Sequence, residues 1–276
     1  MKRYLFGILC LWAFWGAGAA DERPELWFPV GEQLLYRVYW GVVPVGTSRA
    51  TTEWVERDGE TLLAIRFETR SYRVLDPVYP VDDTIESLID PETFLPVRHE
   101  SRMNQGRRST HEITYFDYDR LMAKQYVLHR DSTNYFQLEP DTRDLVSFMY
   151  YMRKKAFTVG NKTQYRVMAD DKTYDLWVNA RRVEPVRLSN YGRVDSVRIE
   201  PEAAFEGFLV RRGEATFWVS EDDRRIITRM TARIPVAHIR MILRRVRGPG
   251  DDFWVQEDDP DEGDEDDDLF EGNSRS

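Results

Sequence analysis

Cysteine is nearly absent: the 276-residue chain has one, Cys10. No disulfide framework, Cys-bound zinc site or Cys–His nucleophile can be assembled from what remains. Histidine is scarce too. His99, His111, His129 and His238 stand far apart, with no H-x-H, H-x-x-x-H or H-E-x-x-H spacing, so structural roles are expected and no metal site. The chain lacks a G-x-S-x-G elbow, a P-loop and a G-x-G-x-x-G turn. A hydrolase triad therefore has no anchor, and nucleotide phosphates have no cradle. No motif calls for a cofactor. Beyond the first twenty residues, no apolar run approaches the roughly 20 residues that span a bilayer as a helix.

Positive charge is also missing where nucleic acid would need it. The net charge is −9, and residues 251–276 hold thirteen acids against one base, Arg275. That segment carries −12, so residues 1–250 are left at +3, and removal of Lys2 and Arg3 with the leader would leave about +1. A nearly neutral body with no basic stripe implies no nucleic-acid partner. In the tail Gly248-Pro249-Gly250 breaks the chain, and few apolar residues follow. Disorder over 251–276 is expected, since too little can be buried to offset ordering entropy. Dense carboxylates could also buffer calcium or meet a basic partner, but no spaced calcium loop is present.

The N-terminus reads as an export signal. Met1-Lys2-Arg3 is cationic, Tyr4 to Ala20 is uncharged, and Ala17-Gly18-Ala19 makes an A-x-A-like cleavage site. Residues 1–20 are assigned to a cleaved signal peptide, 21–250 to one β-rich domain and 251–276 to the tail. An uncleaved anchor is the alternative, disfavoured because the stretch ends in Gly and Ala, so no stable transmembrane anchor is expected after cleavage. Cys10 sits inside the apolar run and not at its end, which speaks against lipoprotein attachment.

Period-2 alternation dominates residues 30–247. Leu63, Ile65 and Phe67 alternate with Ala64, Arg66 and Glu68, and Ile113 and Tyr115 with Glu112 and Thr114. Hairpins are read at Thr163–Ala169 and Thr173–Ala180 around Asp170-Asp171-Lys172, and at Ala215–Ser220 and Arg225–Arg233 around Glu221 to Arg224. Roughly ten to twelve strands at this spacing predict a mainly β fold: a large curved antiparallel sheet or open β-barrel. One segment departs from the pattern. In Asp141–Phe157, Leu145, Phe148, Met149, Met152 and Ala156 recur at helical spacing, with Asp141 or Thr142 as cap and Arg153-Lys154-Lys155 at the end. This one amphipathic helix is expected to pack on the sheet.

Asp82-Asp83-Thr84-Ile85-Glu86 is the best place to look for carboxylate chemistry. On a strand Asp82, Thr84 and Glu86 share a face, and Asp82 and Glu86 lie ~13 Å apart, too far for a glycosidase pair. Salt bridges to neighbouring arginines are the expected use, and no catalytic residue is assigned. Aromatic residues make up 13% of the chain without any catalytic partner. They either fill the core of a curved sheet or wall an apolar cavity between sheet and helix. The residues expected at such a cavity are Trp40, Phe67, Phe148, Met152, Trp177 and Trp218.

Four stretches carry a resemblance. They are Gly31-Glu32-x-Leu34-x-Tyr36-x-Val38-x-Trp40-Gly41 with Val45-Gly46; Tyr79 through Asp83, Ile85-Glu86-Ser87, Asp90 and Thr93 to Pro96; Asp144-Leu145-x-Ser147 with Tyr150-Tyr151-x-Arg153; and Phe217-Trp218-Val219-Ser220-x-Asp222. In order and spacing they resemble the bacterial family known as domain of unknown function 3108, over about residues 28–245. The resemblance implies an exported protein of Gram-negative bacteria, hence a periplasmic location, and carries over no catalytic residue. The architecture is similar, by analogy of fold only, to the half-barrel periplasmic carriers of the LolA and LolB type. The expected function is non-catalytic binding of an apolar or lipid-like ligand in cell-envelope maintenance. A scaffold or adaptor that meets an envelope protein partner through the tail or a sheet edge is the alternative. A glycan-acting enzyme using Asp83 and Glu86 is a third.

Overall fold

A computed structural model describes residues 23–169, 172–205, 208–212, 215–234, 237–254 and 269–270. The assigned signal peptide and most of the tail lie outside the described residues. The chain runs β1 (Gln33–Trp40), β2 (Val43–Arg57), β3 (Glu60–Ser71), β4 (Val81–Asp90), β5 (Leu95–Gln105), β6 (Arg108–Asp117), β7 (Met122–Val127), β8 (Ser132–Gln137) and β9 (Thr142–Arg143). Then come α1 (Leu145–Tyr151), β10 (Lys162–Ala169), β11 (Lys172–Leu188), β12 (Gly192–Phe205), β13 (Phe208–Arg212), β14 (Ala215–Ser220), β15 (Ile227–Ile234) and β16 (Ala237–Arg247). All sixteen strands form one sheet, in the order β8 back to β1, then β16, β15, β14, β12, β11, β10 and β9, with β13 added to β12. The pairing is antiparallel except between β9 and β10. The predicted class, a large curved antiparallel sheet with one packed helix, is the one observed. The strands outnumber the ten to twelve expected because short β8, β9 and β13 carry no alternation long enough to read.

The sheet bends almost into a barrel. Its two edges, β8 and β9, are separated by only a few residues, and Tyr118 Oη donates to the Thr142 carbonyl at 2.8 Å across the gap. Phe116, Ala123 and Leu138 pack with Met168 of β10, so an apolar cluster bridges the same seam. Side chains of paired residues share a face. Leu63–Ile89, Ile65–Ser87 and Phe67–Ile85 therefore mark the inner face of β3 and β4, where Val146 and Tyr150 of α1 join them. The outer face carries charge: Arg49–Glu68 and Arg66–Glu86 meet at 2.5 Å, and Glu100 holds Arg102 and His111 at 2.7 Å each. Such a ladder is the opposite of the apolar belt a membrane-spanning barrel turns to lipid.

The helix is shorter than its periodicity suggests. Thr142, a candidate cap, instead forms β9, and Asp144 caps α1 by accepting from Ser147 N at 2.8 Å. After Tyr151 the chain tightens into a 3-10 turn, Met152–Lys154, and Ala156 is exposed. The helix is buried nearly all round, with Val146, Ser147, Phe148, Met149 and Tyr150 inside, because it lies within the bent sheet and has strands on two sides. Leu145 is the exception, half exposed at the first turn.

Two glycines set the curvature near one rim. Gly41, with φ +61°, supplies the positive dihedral of the two-residue β1–β2 turn. A Cβ at Gly46 would stand 2.1 Å from the Arg70 carbonyl oxygen, so only glycine lets β2 approach β3 there. The compact part runs past Gly250: Trp254 packs beside Tyr191 at 5.3 Å and donates to Asp222 at 2.9 Å.

Candidate functional site

One apolar cavity lies between α1 and the second half of the sheet, with a volume of about 300 Å³. Leu145 and Phe148 form its helical wall. Val167 and Ala169 of β10, Tyr174 and Leu176 of β11, Pro201 and Ala203 of β12, Ala215 and Phe217 of β14 and Ala232 of β15 form the rest, with the exposed Arg233 at its border. The wall comes from strand parity: Ile199 pairs with Phe217, and Phe217 with Met230, so these side chains share the face that the helix covers. Small residues at 203, 215 and 232 leave the space that larger ones would fill.

Of the six residues expected at a cavity, Phe148, Met152 and Trp218 are buried and Phe67 is packed among core clusters, but only Phe148 lines the cavity. Phe148 is in the wall, Met152 is buried behind it, and Phe67 sits at the meeting point of three core clusters. Trp40 is 47% exposed at the end of β1. Trp177 and Trp218 each miss by one residue. Leu176 and Phe217 take the inner positions, and side chains alternate along a strand, so their neighbours point the other way. Trp177 lies under Lys162 Nζ at 4.9 Å. Trp218 is held between Arg229 at 3.7 Å and Arg198 at 5.7 Å, and its Nε1 donates to Glu184 at 2.5 Å. Aromatic density alone could not tell the two faces apart.

Behind the cavity, α1 is pinned by polar groups that the sequence did not single out as a unit. The buried Asp144 carboxylate accepts from Ser87 Oγ at 2.5 Å and lies 3.5 Å from His99 Nδ1. Burial pushes this carboxyl up, but His99, Ser87 and the Ser147 amide override it and hold the pKa below the ordinary value. Because Ser87 donates to Asp144, no hydroxyl–imidazole relay exists, and the cluster serves to position the helix. Glu32, wholly buried, meets Arg153 Nη1 at 2.5 Å and Arg224 Nη2 at 2.8 Å. Burial again acts to raise this carboxyl, and the two guanidinium groups hold it down.

Asp83 and Glu86 do not converge. Asp83 is on the inner side, accepting from Asn104 N at 2.9 Å and Gln105 Nε2 at 2.6 Å, while Glu86 is in the outer ladder with Arg66. Asp82 bonds Arg70 at 3.2 Å. The salt-bridge expectation describes this segment, and the glycan-enzyme geometry is absent. Among the described residues no three His, Cys, Asp or Glu side chains gather as a metal site would require. The described tail residues touch the outer face: Phe270 lies under Arg49 at 4.4 Å and Arg70 at 5.3 Å, and Arg70 donates to the Leu269 carbonyl.

Comparison with known proteins places the fold in company without giving it a task. The crystal structure of a β-barrel-like protein of domain of unknown function DUF1849 from Brucella abortus is similar, with a TM-score of 0.51 at 12% identity over 79% of this chain and 98% of that one. A DUF1329 family protein from Desulfovibrio piger is aligned over 81% of this chain and 88% of that one at 8% identity, with a TM-score of 0.18. No curated protein matches the chain. The family model described as Protein of unknown function (DUF3108) matches residues 35–244. On that match, which spans most of the sheet and its helix, the chain belongs to the DUF3108 family.

Proposed function

We propose that the protein binds an apolar, acyl-chain-like ligand in the cavity beneath α1, in the cell envelope after export. The observation that carries this reading is the cavity itself: about 300 Å³ and apolar-walled, with the exposed Arg233 at its border. That volume is at the small end of ligand pockets, roughly 300–1,000 Å³, and suits one acyl chain better than a whole diacyl lipid. Apolar walls give affinity through removal of surface from water, and an arginine at the border suits an anionic head group. The periplasmic location rests on the cationic start, apolar stretch and small-residue end of residues 1–20. The experiment is solvent extraction of the purified protein followed by mass spectrometry. A stoichiometric amphiphile is expected from the native protein and none from an Ala215→Trp variant that fills the cavity. Equal recovery from both refutes the site.

A second reading, an adaptor acting through its tail, draws on one contact. Phe270 against Arg49 and Arg70 gives the acidic tail a seat on the outer face of β2 and β3. Its test is deletion of 255–276, which spares Trp254 in its packed position. Weaker recovery of an envelope partner with unchanged melting is expected, and unchanged recovery dismisses the reading.

A further inference from the structure

One rim of the barrel combines the most exposed apolar side chains with a set of arginines, and the cavity borders the same rim. Pairing places the elements. Trp40 pairs with Val43 and Ile239, Gly46 with Ser71, Val81 with Gln105, and Gln105 with Arg108. The β1–β2, β3–β4, β5–β6 and β15–β16 connections are therefore neighbours at one end. Backbone hydrogen bonds join them: Gly41 N to His238 O at 2.8 Å, Tyr72 N to Val45 O at 3.0 Å, and Gly106 N to Pro80 O at 2.8 Å. Ala215 and Ala232, which pair with each other at the cavity, stand at this same end.

Val42, Val78 and Val74 are 83%, 81% and 80% exposed, the three highest values among the large apolar side chains of the described residues. Val43 and Tyr79 are about half exposed, as is Trp40 at the flank of its turn. Gly41 forces this: its two-residue turn puts Val42 at the tip with nothing to pack on. Arg73, Arg107, Arg108 and Arg233 are exposed among these turns, and the nearest acid on the β3–β4 connection, Asp76, accepts from Ser71 Oγ at 3.0 Å. Among the described residues of these turns and their flanks, Arg73, Arg107, Arg108 and Arg233 stand against Asp76 and Asp82, and Asp82 is already bonded to Arg70.

We propose that this rim docks on an anionic lipid bilayer. Exposed valines on two neighbouring connections, with a tryptophan at their flank and arginines beside them, fit the interface between acyl chains and head groups. A protein groove would ask for one continuous ridge. Docking would bring the cavity border at Arg233 to the lipid surface. That consequence rests on the ligand reading, whereas the docking does not.

Co-sedimentation of the purified protein with vesicles of phosphatidylethanolamine and phosphatidylglycerol tests it. Binding is expected to these vesicles, to weaken on pure phosphatidylcholine, and to fall as salt rises. A V42D/V78D variant should lose about tenfold in partitioning for each valine, with unchanged melting. Ala215→Trp should sediment like the native protein, which separates failure of docking from failure of the ligand site. Native protein that ignores anionic vesicles overturns the proposal and leaves a protein partner as the rim's occupant. Equal sedimentation by V42D/V78D overturns it as well.

Discussion

The two flanks of α1 are finished differently. Toward β3 and β4 the helix is sealed. Val146 and Tyr150 pack on Leu63, Ile65 and Ile89, and the segment before β1 closes the remaining gap with Phe28 and Trp27. Trp27 packs at a tilt 4.5 Å from Phe94 and donates to the Tyr150 carbonyl at 2.9 Å, and Arg153 lies 5.2 Å over Phe28. Toward β10, β11 and β14 no such plug stands among the described residues. Phe148 and Phe217 face a space bordered by alanines. Both flanks are apolar, so hydrophobicity does not separate core from cavity. The difference is whether another piece of chain arrives to fill the volume, and close packing is the rule when it does.

The largest effect should come from the sealed side. Arg153→Ala leaves Glu32 buried with half its compensation and should cost about 3–5 kcal/mol in urea denaturation. A loss under about 1 kcal/mol would mean the flank is not locked by this pair. Removing packing sharpens the contrast. Ile89→Ala on the sealed side should cost about 3 kcal/mol, whereas Leu145→Ala, half exposed at the cavity, should cost under about 1 kcal/mol. Similar costs would erase the difference between the flanks.

A smaller effect belongs to neither flank. Burial alone would raise Glu100, but Arg98, His111 and Arg102 on the outer ladder hold its carboxyl at about 2. A depressed carboxyl stabilises the fold above its unfolded pKa and loses that contribution as pH falls toward the folded value. Glu100→Gln should therefore flatten the stability profile between roughly pH 4.5 and 2 and leave ligand binding untouched. A profile identical to the native one would show that the ladder does not couple to folding.

Much of this architecture was legible because alternation is a local signal. The strands around Leu63–Phe67, the 163–180 and 215–233 hairpins and the place of the helix could all be read from neighbours a few residues apart. The helix limits could not. Asp141, Thr142 and Asp144 are all good caps, and tertiary pairing of Thr142 with β10 decided among them. The cavity wall was legible only to within one residue. Trp177 and Trp218 stand next to the lining Leu176 and Phe217, and a strand of aromatics on both faces does not announce its inner side. The Glu32–Arg153 pair joins residues 121 apart, and nothing near either one names its partner. The Phe28 plug went unread because a segment outside the strand pattern carries no periodicity.

The central claim is that the open flank holds a ligand and the sealed flank does not. Titration of the delipidated protein with a fluorescent fatty acid tests this most directly, comparing the native chain with Ala215→Trp. The account predicts saturable, one-to-one binding by the native protein and at least a tenfold loss in the variant, with both melting alike. No saturable binding by the native protein, or equal binding by the two, would contradict it.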